Sequence, residues 1–173
     1  MKNRLSKALV LGCLLHFLPA SGLAQDSEAQ KKTLAGLKGF FVVINDVGPD
    51  GHSAGISEPA LVDQAESGLR NAGIRVATRD EFLASPDRSL ALLGITISSV
   101  KNRAGDTCAL SCFLQVTQTV MLVRDPAVRA PVATWYAGGT GIAASNVAGA
   151  EIKKWLTGLI EHLVDAYRSA NPK

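Results

Sequence analysis

The string GHSAG, at residues 51–55, fits the G-x-S-x-G pattern of the nucleophile elbow in α/β-hydrolases. That elbow requires a strand that runs directly into the serine and a helix that begins directly after it. Residues 47–50 separate Ser53 from the preceding apolar run, and the next helix signal is at Ser57. The order serine, acid, histidine also needs a later histidine, and only His162 follows. We therefore interpret the string as a surface loop with no catalytic residue and keep a small serine hydrolase as the alternative.

Two further stretches contain groups that could hold a ligand. The loop with Asn45, Asp46, Asp50 and His52 offers oxygen and nitrogen donors, but their spacing does not match the alternating acids and closing glutamate of a calcium loop. The string GGTG at 138–141 precedes a predicted helix, whose free amides would attract an anion, but it lacks the lysine and the spacing of a phosphate-binding loop. We predict a solvated loop and a hairpin end or bulge, with no metal and no cofactor.

Cys108 and Cys112 are the two cysteines outside the first 24 residues, and an oxidising compartment would favour a bond between them. In a straight strand, residues four apart lie roughly 13 Å apart at about 3.3 Å per residue, whereas a disulfide needs Cα atoms within about 7 Å. A disulfide therefore requires a bulge or turn between them, and two buried free thiols are the alternative. A zinc site is disfavoured, because the C-x3-C spacing is not that of common zinc knuckles.

Trp135 and Tyr136 are adjacent on a predicted strand and must point to opposite faces of the sheet. One of them should lie in the core, and an exposed aromatic beside Thr134 would suit an anchor for a partner protein. Gln118 interrupts the apolar face of another predicted strand, which marks a sheet edge or a hydrated position. We therefore take Trp135, Tyr136 and Gln118 as candidate partner-binding residues and His162 as a helix-surface residue.

The first 24 residues have the pattern of a secretory signal peptide that is cleaved after Ala24. Three basic residues precede an apolar run from Ala8 to Leu18, and a segment of small residues follows it. The run has about 11 residues, whereas a helix that spans the bilayer core needs roughly 20. Cys13 ends a sequence that loosely resembles a lipobox, so lipidation at Cys13 is an alternative. We predict a periplasmic or secreted location without stable membrane insertion.

Removing this segment changes the charge of the chain. All three of its charged residues are basic, so the 18 basic and 15 acidic residues of the whole sequence become 15 and 15. The pI of about 8.9 therefore reflects the export signal. No basic block suited to nucleic acid or to an anionic membrane surface remains. The remaining 149 residues are enough for one domain with its own core.

Periodicity and capping signals predict the elements that position these residues. Ser57 and Pro59 mark the start of an amphipathic helix, and Gly73 supplies a left-handed stop. Residues 25–36 are predicted to be a flexible leader, and residues 37–173 a single domain in the order β-α-β-β-β-β-α, with the last helix beside the first. The other predicted elements are strands at 40–44, 74–77, 90–98, 110–122 and 132–137, a helical turn at 79–83 and a helix at about 146–168.

Three strings carry a resemblance to known proteins: GISEPALVDQAESGLRNAGIRVAT, QTVMLVRDP and ATWYAGGTG, followed by an amphipathic terminal helix. In this order they resemble a group of small exported bacterial proteins of unknown function. The layout is similar to the amino-terminal domain of TolB and to the related domains of CsgG-type and penicillin-binding-protein-activating lipoproteins. The resemblance implies an α+β two-layer sandwich, with a mixed, mostly antiparallel sheet of about five strands and two main helices packed on one face. It also implies protein–protein contact in the cell envelope, and it transfers no catalytic residues.

Three functions are therefore considered. The first is a non-enzymatic periplasmic or secreted adaptor that binds an envelope protein through an exposed sheet edge or the leader, because backbone groups at an edge accept an added strand. The second is a hydrolase built on Ser53, which needs a histidine and a carboxylate within hydrogen-bond reach of that residue. The third is a binder of a small apolar ligand, which needs a cavity between sheet and helices.

Overall fold

A computed structural model describes residues 26–47, 50–51, 55–85 and 88–172, with only the backbone of Asp46. The predicted signal peptide at 1–24, Cys13 and the residues 52–54 of the GHSAG string lie outside these ranges. In chain order the elements are α1 (Glu28–Lys32), β1 (Gly39–Asp46), α2 (Glu58–Asn71), β2 (Arg75–Val76), α3 (Arg79–Ala84), β3 (Leu90–Lys101), β4 (Thr107–Leu122), β5 (Asp125–Ala144) and α4 (Ala148–Ala170).

The five strands form one mixed sheet in the order β2-β1-β3-β4-β5. β1 pairs in parallel with both β2 and β3, whereas β3, β4 and β5 pair antiparallel in sequence. The two long helices, α2 and α4, pack against each other and against the sheet. The predicted α+β two-layer class is therefore confirmed.

The helix α2 ends as its sequence predicts and begins with one difference. Gly73 has a φ of +77°, and the N–H of Ile74 donates to the carbonyl of Leu69 at 3.0 Å, which is the Schellman stop. Ser57 is the N-cap, but its side chain makes no capping hydrogen bond. The start therefore depends on the proline in the first turn and on the acidic Glu58 rather than on the Ser57 hydroxyl.

The sheet has two unlike faces, which we call the covered face and the open face. Side chains alternate between them, and cross-strand partners share a face. α2 and α4 pack on the covered face, and α3 packs on the open face at β1, where Phe82 stacks on Phe41 with ring centroids 5.5 Å apart. The buried residues of the covered face include Phe40, Val42, Leu93, Ile95, Ile97, Cys108, Leu110, Cys112, Leu114, Val116, Trp135 and Ala137.

The glycines at 138–141 lie inside β5, not at a hairpin end or bulge before the last helix as the sequence predicts. A Cβ at Gly138 would collide with the Phe113 ring on the open face, and a Cβ at Gly141 would lie 2.7 Å from the Trp155 indole on the covered face. Aromatic side chains therefore cover both glycines, and the strand remains paired up to Ala144.

The segment predicted as a flexible leader, residues 25–36, also differs. It contains α1, which has a capping box between Ser27 and Gln30. Leu34 is buried in the core, as is Leu37 directly after the segment, and Asn171 near the end of α4 donates to the Leu34 carbonyl at 3.0 Å. The charged composition of the segment indicates flexibility, but two leucines and a cap are enough to dock it.

The hairpin of β4 and β5 extends beyond the other strands. β3 pairs with β4 only as far as Leu92 opposite Thr117, whereas β4 and β5 stay paired to Leu122 opposite Asp125. We call residues 118–132 the arm. The sequence predicts both strands, but it places the start of β5 at Val132 and therefore misses most of the β5 strand of the arm.

Gly68 and Gly158 provide a matched test of how closely α2 and α4 approach. A Cβ at Gly68 would lie 2.8 Å from Cγ2 of Ile160, whereas nothing lies within 4 Å of a Cβ at Gly158. Alanine in a helix is favoured over glycine by about 1 kcal/mol at either position. We expect Gly158→Ala to raise the free energy of unfolding, and Gly68→Ala to be less stable than Gly158→Ala by about 1–3 kcal/mol, because of overpacking. Urea denaturation measures both, and equal stabilisation would show that the helices do not approach closely.

Candidate functional site

One side of the arm is apolar. By alternation and register, Gln118, Val120 and Leu122 continue the covered face of β4 beyond Val116, with Val132 opposite Gln118 and Ala130 opposite Val120. We call the apolar residues of this side the arm stripe: Val120, Leu122, Val128, Ala130 and Val132. Val128 and Val132 are each 43% exposed. The arm stripe is therefore a continuation of the core-facing surface into a region that the helices leave uncovered.

β5 is the last strand of the sheet, and within the described chain no strand pairs with its outer edge. Two prolines, Pro126 and Pro131, lie in the arm portion of β5. Proline lacks the N–H that an added strand would bind, and it is a common means of protecting an edge. A partner could therefore bind the apolar side of the arm more readily than it could add a continuous strand along the edge of β5.

The open face is unusual for a surface in contact with water. At open-face positions of β3, β4 and β5 below the arm, all of them described, there is no charged residue, although 19% of the whole sequence is charged. Tyr136 is 49% exposed and Ile142 is 77% exposed. Phe113 and Val100 are exposed there too, Leu90 and Leu92 are buried or half-buried, and the other positions have hydroxyl, amide and small side chains. Tyr136 thus stays a candidate partner-binding residue.

Trp135 is not available to a partner, which corrects its assignment as a binding candidate. It is fully buried, and its indole N–H donates to Oδ2 of Asp26 at 2.8 Å. The other oxygen of Asp26 lies 3.1 Å from Nε2 of His162, and the Trp135 and His162 rings are 5.9 Å apart at their centroids. The Asp26 side chain is 2% exposed. These three residues tie the segment before α1 to both β5 and α4.

Gln118 is half-buried and has an internal role as well, while its role in partner binding stays a prediction. Its amide nitrogen donates to the Thr33 carbonyl at 2.8 Å and to the Thr134 hydroxyl at 2.7 Å. Thr134 is the extra residue of a bulge, because Val116 pairs with Trp135 and the next residue pairs with Ala133. Gln118 therefore lies at the end of the core, held to the residue that follows α1 and to the bulge in β5. The arm stripe begins directly beyond it.

Cys108 and Cys112 are free thiols, so the disulfide alternative is not realised. Both face the core from one straight, fully paired stretch of β4, with no turn between them to bring their Cα atoms together. Cys108 Sγ lies 3.3 Å from the Ser145 hydroxyl. Burial raises the pKa of the Cys112 thiol from 9.0 to about 12. Both residues are thus small core side chains, and the Cys112 thiol has little thiolate at neutral pH.

The pairing of His162 with Asp26 provides a histidine and a carboxylate, but these lie far from the flanks of the GHSAG string. Asp50, just before the string, accepts from the Lys101 N–H at 3.0 Å. Lys101 is eight residues along β3 from Leu93, which is level with Trp135 across β4. At about 3.3 Å per residue this separates the two ends by roughly 26 Å. The geometry of the described residues thus offers no support for a triad.

Metal and ligand sites are the remaining site types to consider for the described residues. No group of three or more His, Cys, Asp or Glu side chains that could hold a metal ion occurs among them. A shallow depression of about 490 Å³ lies on the sheet between β3, β4 and β5, near Val100, Ser111 and Ile142. It is open to solvent and is not a cavity between sheet and helices. In the part of the chain that the structure describes, no helix is both long and apolar enough to cross a membrane.

Comparison with known proteins gives only distant similarity. No family model and no curated protein matches the sequence. Among solved structures, a variant PelC dodecamer from Paraburkholderia phytofirmans is similar, with a TM-score of 0.45, 21% identity, and coverage of 84% of this chain and 96% of that chain. A second PelC dodecamer from that organism has a TM-score of 0.43, 17% identity, and coverage of 83% and 96%. At these scores the likeness indicates neither a shared function nor a shared assembly.

Sequence reasoning missed two features of the site. The arm stripe could have been found, because the alternation of β4 continues through Val120 and Leu122 after Gln118, beyond any predicted helix cover. Asp26 could not have been found, because a single acid in a polar segment has no pattern that indicates a buried indole as its partner. Only the tertiary structure brings Asp26 to Trp135, 109 residues later.

Replacing Asp26 tests whether the segment before α1 is structural. Asp26→Ala leaves the buried indole N–H of Trp135 without its acceptor, so we expect the free energy of unfolding to fall by about 1–3 kcal/mol. Glu28→Ala is the control, since Glu28 is 79% exposed and pairs only with Lys31, and it should leave the stability unchanged. Guanidinium denaturation followed by Trp fluorescence measures both. Equal stability of Asp26→Ala and the wild type would instead support the sequence prediction that this segment is a flexible leader.

The Cys112 thiol predicts a pH dependence. Its pKa is raised in the folded state, so its contribution to stability is complete below pH 9.0 and is lost as the pH rises from 9.0 towards about 12. In that window the free energy of unfolding of the wild type should fall more steeply than that of Cys112→Ala, by up to about 1.4 kcal/mol per pH unit. Urea titrations at several pH values measure the two slopes. Equal slopes of the free energy of unfolding against pH for the two proteins would mean that the Cys112 thiol is accessible to water.

Proposed function

We propose that this chain is a non-enzymatic periplasmic or secreted protein that acts by binding another protein in the cell envelope. The observation that carries the proposal is the apolar arm stripe, in which Val128 and Val132 are exposed and the other three residues are half-buried. Two-stranded ribbons are only marginally stable in water on their own, and an apolar side makes exposure costlier. A long arm with such a side is therefore best explained by a partner that covers it. The predicted signal peptide supports an exported location.

The arm is a better candidate for the binding surface than the leader. Thr33 hydrogen-bonds at the base of the arm, and Leu34 and Leu37 are buried in the chain's own core. A segment held in this way would have to be released before it could bind another protein. The arm needs no rearrangement, because Val128 and Val132 are already exposed.

The hydrolase alternative has less support. A serine nucleophile needs a base within hydrogen-bond reach, and His162 is held by Asp26 at the other end of the sheet from Asp50. The cysteines offer no alternative nucleophile, since both are buried on the covered face. A non-enzymatic role is thus the simpler proposal for the described residues.

A capture experiment tests the proposal. The exported chain, tagged at its carboxyl end, is used to retain proteins from envelope extracts, with Val128→Glu as the arm variant and Val147→Glu as the control. Both valines are 43% exposed, but Val147 precedes α4 and lies outside the arm. We expect a specific protein that the wild type and Val147→Glu retain and Val128→Glu loses, because a charge on the arm stripe must be desolvated on binding.

Ser53→Ala separates this result from the alternative. If the adaptor proposal is right, Ser53→Ala retains the same protein as the wild type. Esterase activity in the wild type that disappears in Ser53→Ala would instead favour the hydrolase. Equal capture by Val128→Glu and the wild type would contradict a role for the arm.

A further inference from the structure

The outer edge of β5 is protected against strand addition in the arm but not below it. In the arm, Pro126 and Pro131 remove backbone donors and Arg129 adds a charge, which are usual forms of edge protection. Residues 132–144 of β5 include no proline and no charged side chain. At the opposite edge of the sheet, β2 is only two residues long and contains Arg75. The lower part of β5 is therefore a long edge without protection.

The register shows which backbone groups this edge presents. The N–H of Ser145 donates to the carbonyl of Asp106, directly opposite, at 2.8 Å, so these two residues form a hydrogen-bonded pair. Hydrogen-bonded and non-hydrogen-bonded pairs alternate along an antiparallel ladder. Every second residue of β5 below the bulge therefore points its N–H and C=O away from β4: Tyr136, Gly138, Thr140 and Ile142.

We call the outward backbone groups of these residues the free edge. Within the described chain no strand and no other backbone group pairs with them. The free edge is bounded at both ends: the Thr33 hydroxyl donates to the Thr134 carbonyl at 3.2 Å, and the Ala144 carbonyl accepts from the Val147 N–H at 3.1 Å. Between these bounds the donors and acceptors face solvent beside the exposed side chain of Ile142.

We propose that the free edge binds an extended, uncharged segment of the partner protein, which joins the sheet as a new strand beside β5. This inference rests on the proposed function and gives the bound protein a contact in addition to the arm. Backbone hydrogen bonds provide the affinity in strand addition, so the contact does not depend on a large apolar area. At about 3.3 Å per residue the free edge is roughly 20 Å long, which a segment of about seven residues spans.

The side chains next to the free edge favour an uncharged segment. Residues of the added strand on the open face would lie beside the side chains of Tyr136, Thr140 and Ile142. Aromatic and β-branched residues on neighbouring strands pair favourably, as do opposite charges. The chain has no charged residue from Ala130 to Ala150, so a charge on the segment would find no opposite charge on β5. Threonine and valine are therefore suitable residues for the segment.

A separate segment suits the free edge better than β5 of a second copy does. A segment of about seven residues ends before the bulge at Thr134 and before the turn that leads into α4. β5 of a second copy would continue past these bounds into its own arm, where Pro126 and Pro131 lack the N–H groups that pairing needs.

Binding of a synthetic peptide to the exported chain tests the proposal. The probe is a capped, fluorescently labelled peptide of alternating threonine and valine, long enough to span the free edge, and its binding is followed by fluorescence anisotropy. Thr140→Pro removes an outward N–H, which an edge strand tolerates, and Thr140→Val is the control that keeps it. We expect the wild type and Thr140→Val to bind the peptide, and Thr140→Pro to bind it with a dissociation constant more than about tenfold higher. Circular dichroism checks that both variants are folded.

N-methylated forms of the peptide provide a second measurement that leaves the protein unchanged. Methylation of alternate N–H groups leaves one edge of the peptide able to pair, whereas methylation of every N–H group leaves none. We expect the wild type to bind the first form and to lose the second. Three results would overturn the proposal: no binding of the unmethylated peptide, equal binding by Thr140→Pro and Thr140→Val, or binding of the fully methylated peptide.

Two further results separate this inference from its alternatives. Self-association of the wild type in sedimentation that Thr140→Pro abolishes would mean that a second copy occupies the free edge, and would contradict a separate segment. A wild type that does not bind the peptide, while Val128→Glu still loses an envelope protein in the capture experiment, would leave the proposed function standing and remove strand addition from it.

Discussion

The hydrogen bond from the buried Trp135 indole to Asp26 is the interaction on which the exposed region of this protein depends. It fixes the chain just before α1 against β5, and His162 fixes the same carboxylate to α4. With this segment in place, Thr33 reaches the bulge at Thr134, and Gln118 closes the core beside it. The covered face therefore ends at a defined position, and everything beyond it on the hairpin is arm.

The arm and the open face are consequences of one limitation of a two-layer fold. Two helices can cover one side of a five-stranded sheet, but they leave its other side and any longer strands exposed. In this chain the open face below the arm has none of the charges that usually solvate such a surface, and one side of the arm is largely apolar. An uncharged face and an apolar arm stripe are costly in a monomer and favourable at an interface. This contrast, and not a cluster of reactive groups, is the functional signal in the structure.

Much of the fold could be predicted because local signals agreed with tertiary packing. The apolar spacing of α2, the Gly73 stop and the alternation of β4 each identify an element without reference to the rest of the chain. The errors occurred where a distant side chain reverses a local preference. Gly138 and Gly141 are in a strand because Phe113 and Trp155 cover them. The polar segment from 26 is docked because the buried Trp135 indole N–H donates to Asp26.

The sequence alone determined the order of the strands and the two long helices and the faces of the strands, and it predicts an export signal, because these depend on periodicity and composition over short windows. The tertiary structure alone decided which surfaces stay exposed. Trp135 and Tyr136 are equivalent in sequence, yet one is buried under α4 and the other is half exposed, since burial depends on which face the helices cover. Gln118 likewise resembles a surface residue until Thr33 and Thr134 are seen to hold it. A candidate binding surface consists of the side chains that packing leaves exposed, so it can be identified only once the packing of the helices on the sheet is known.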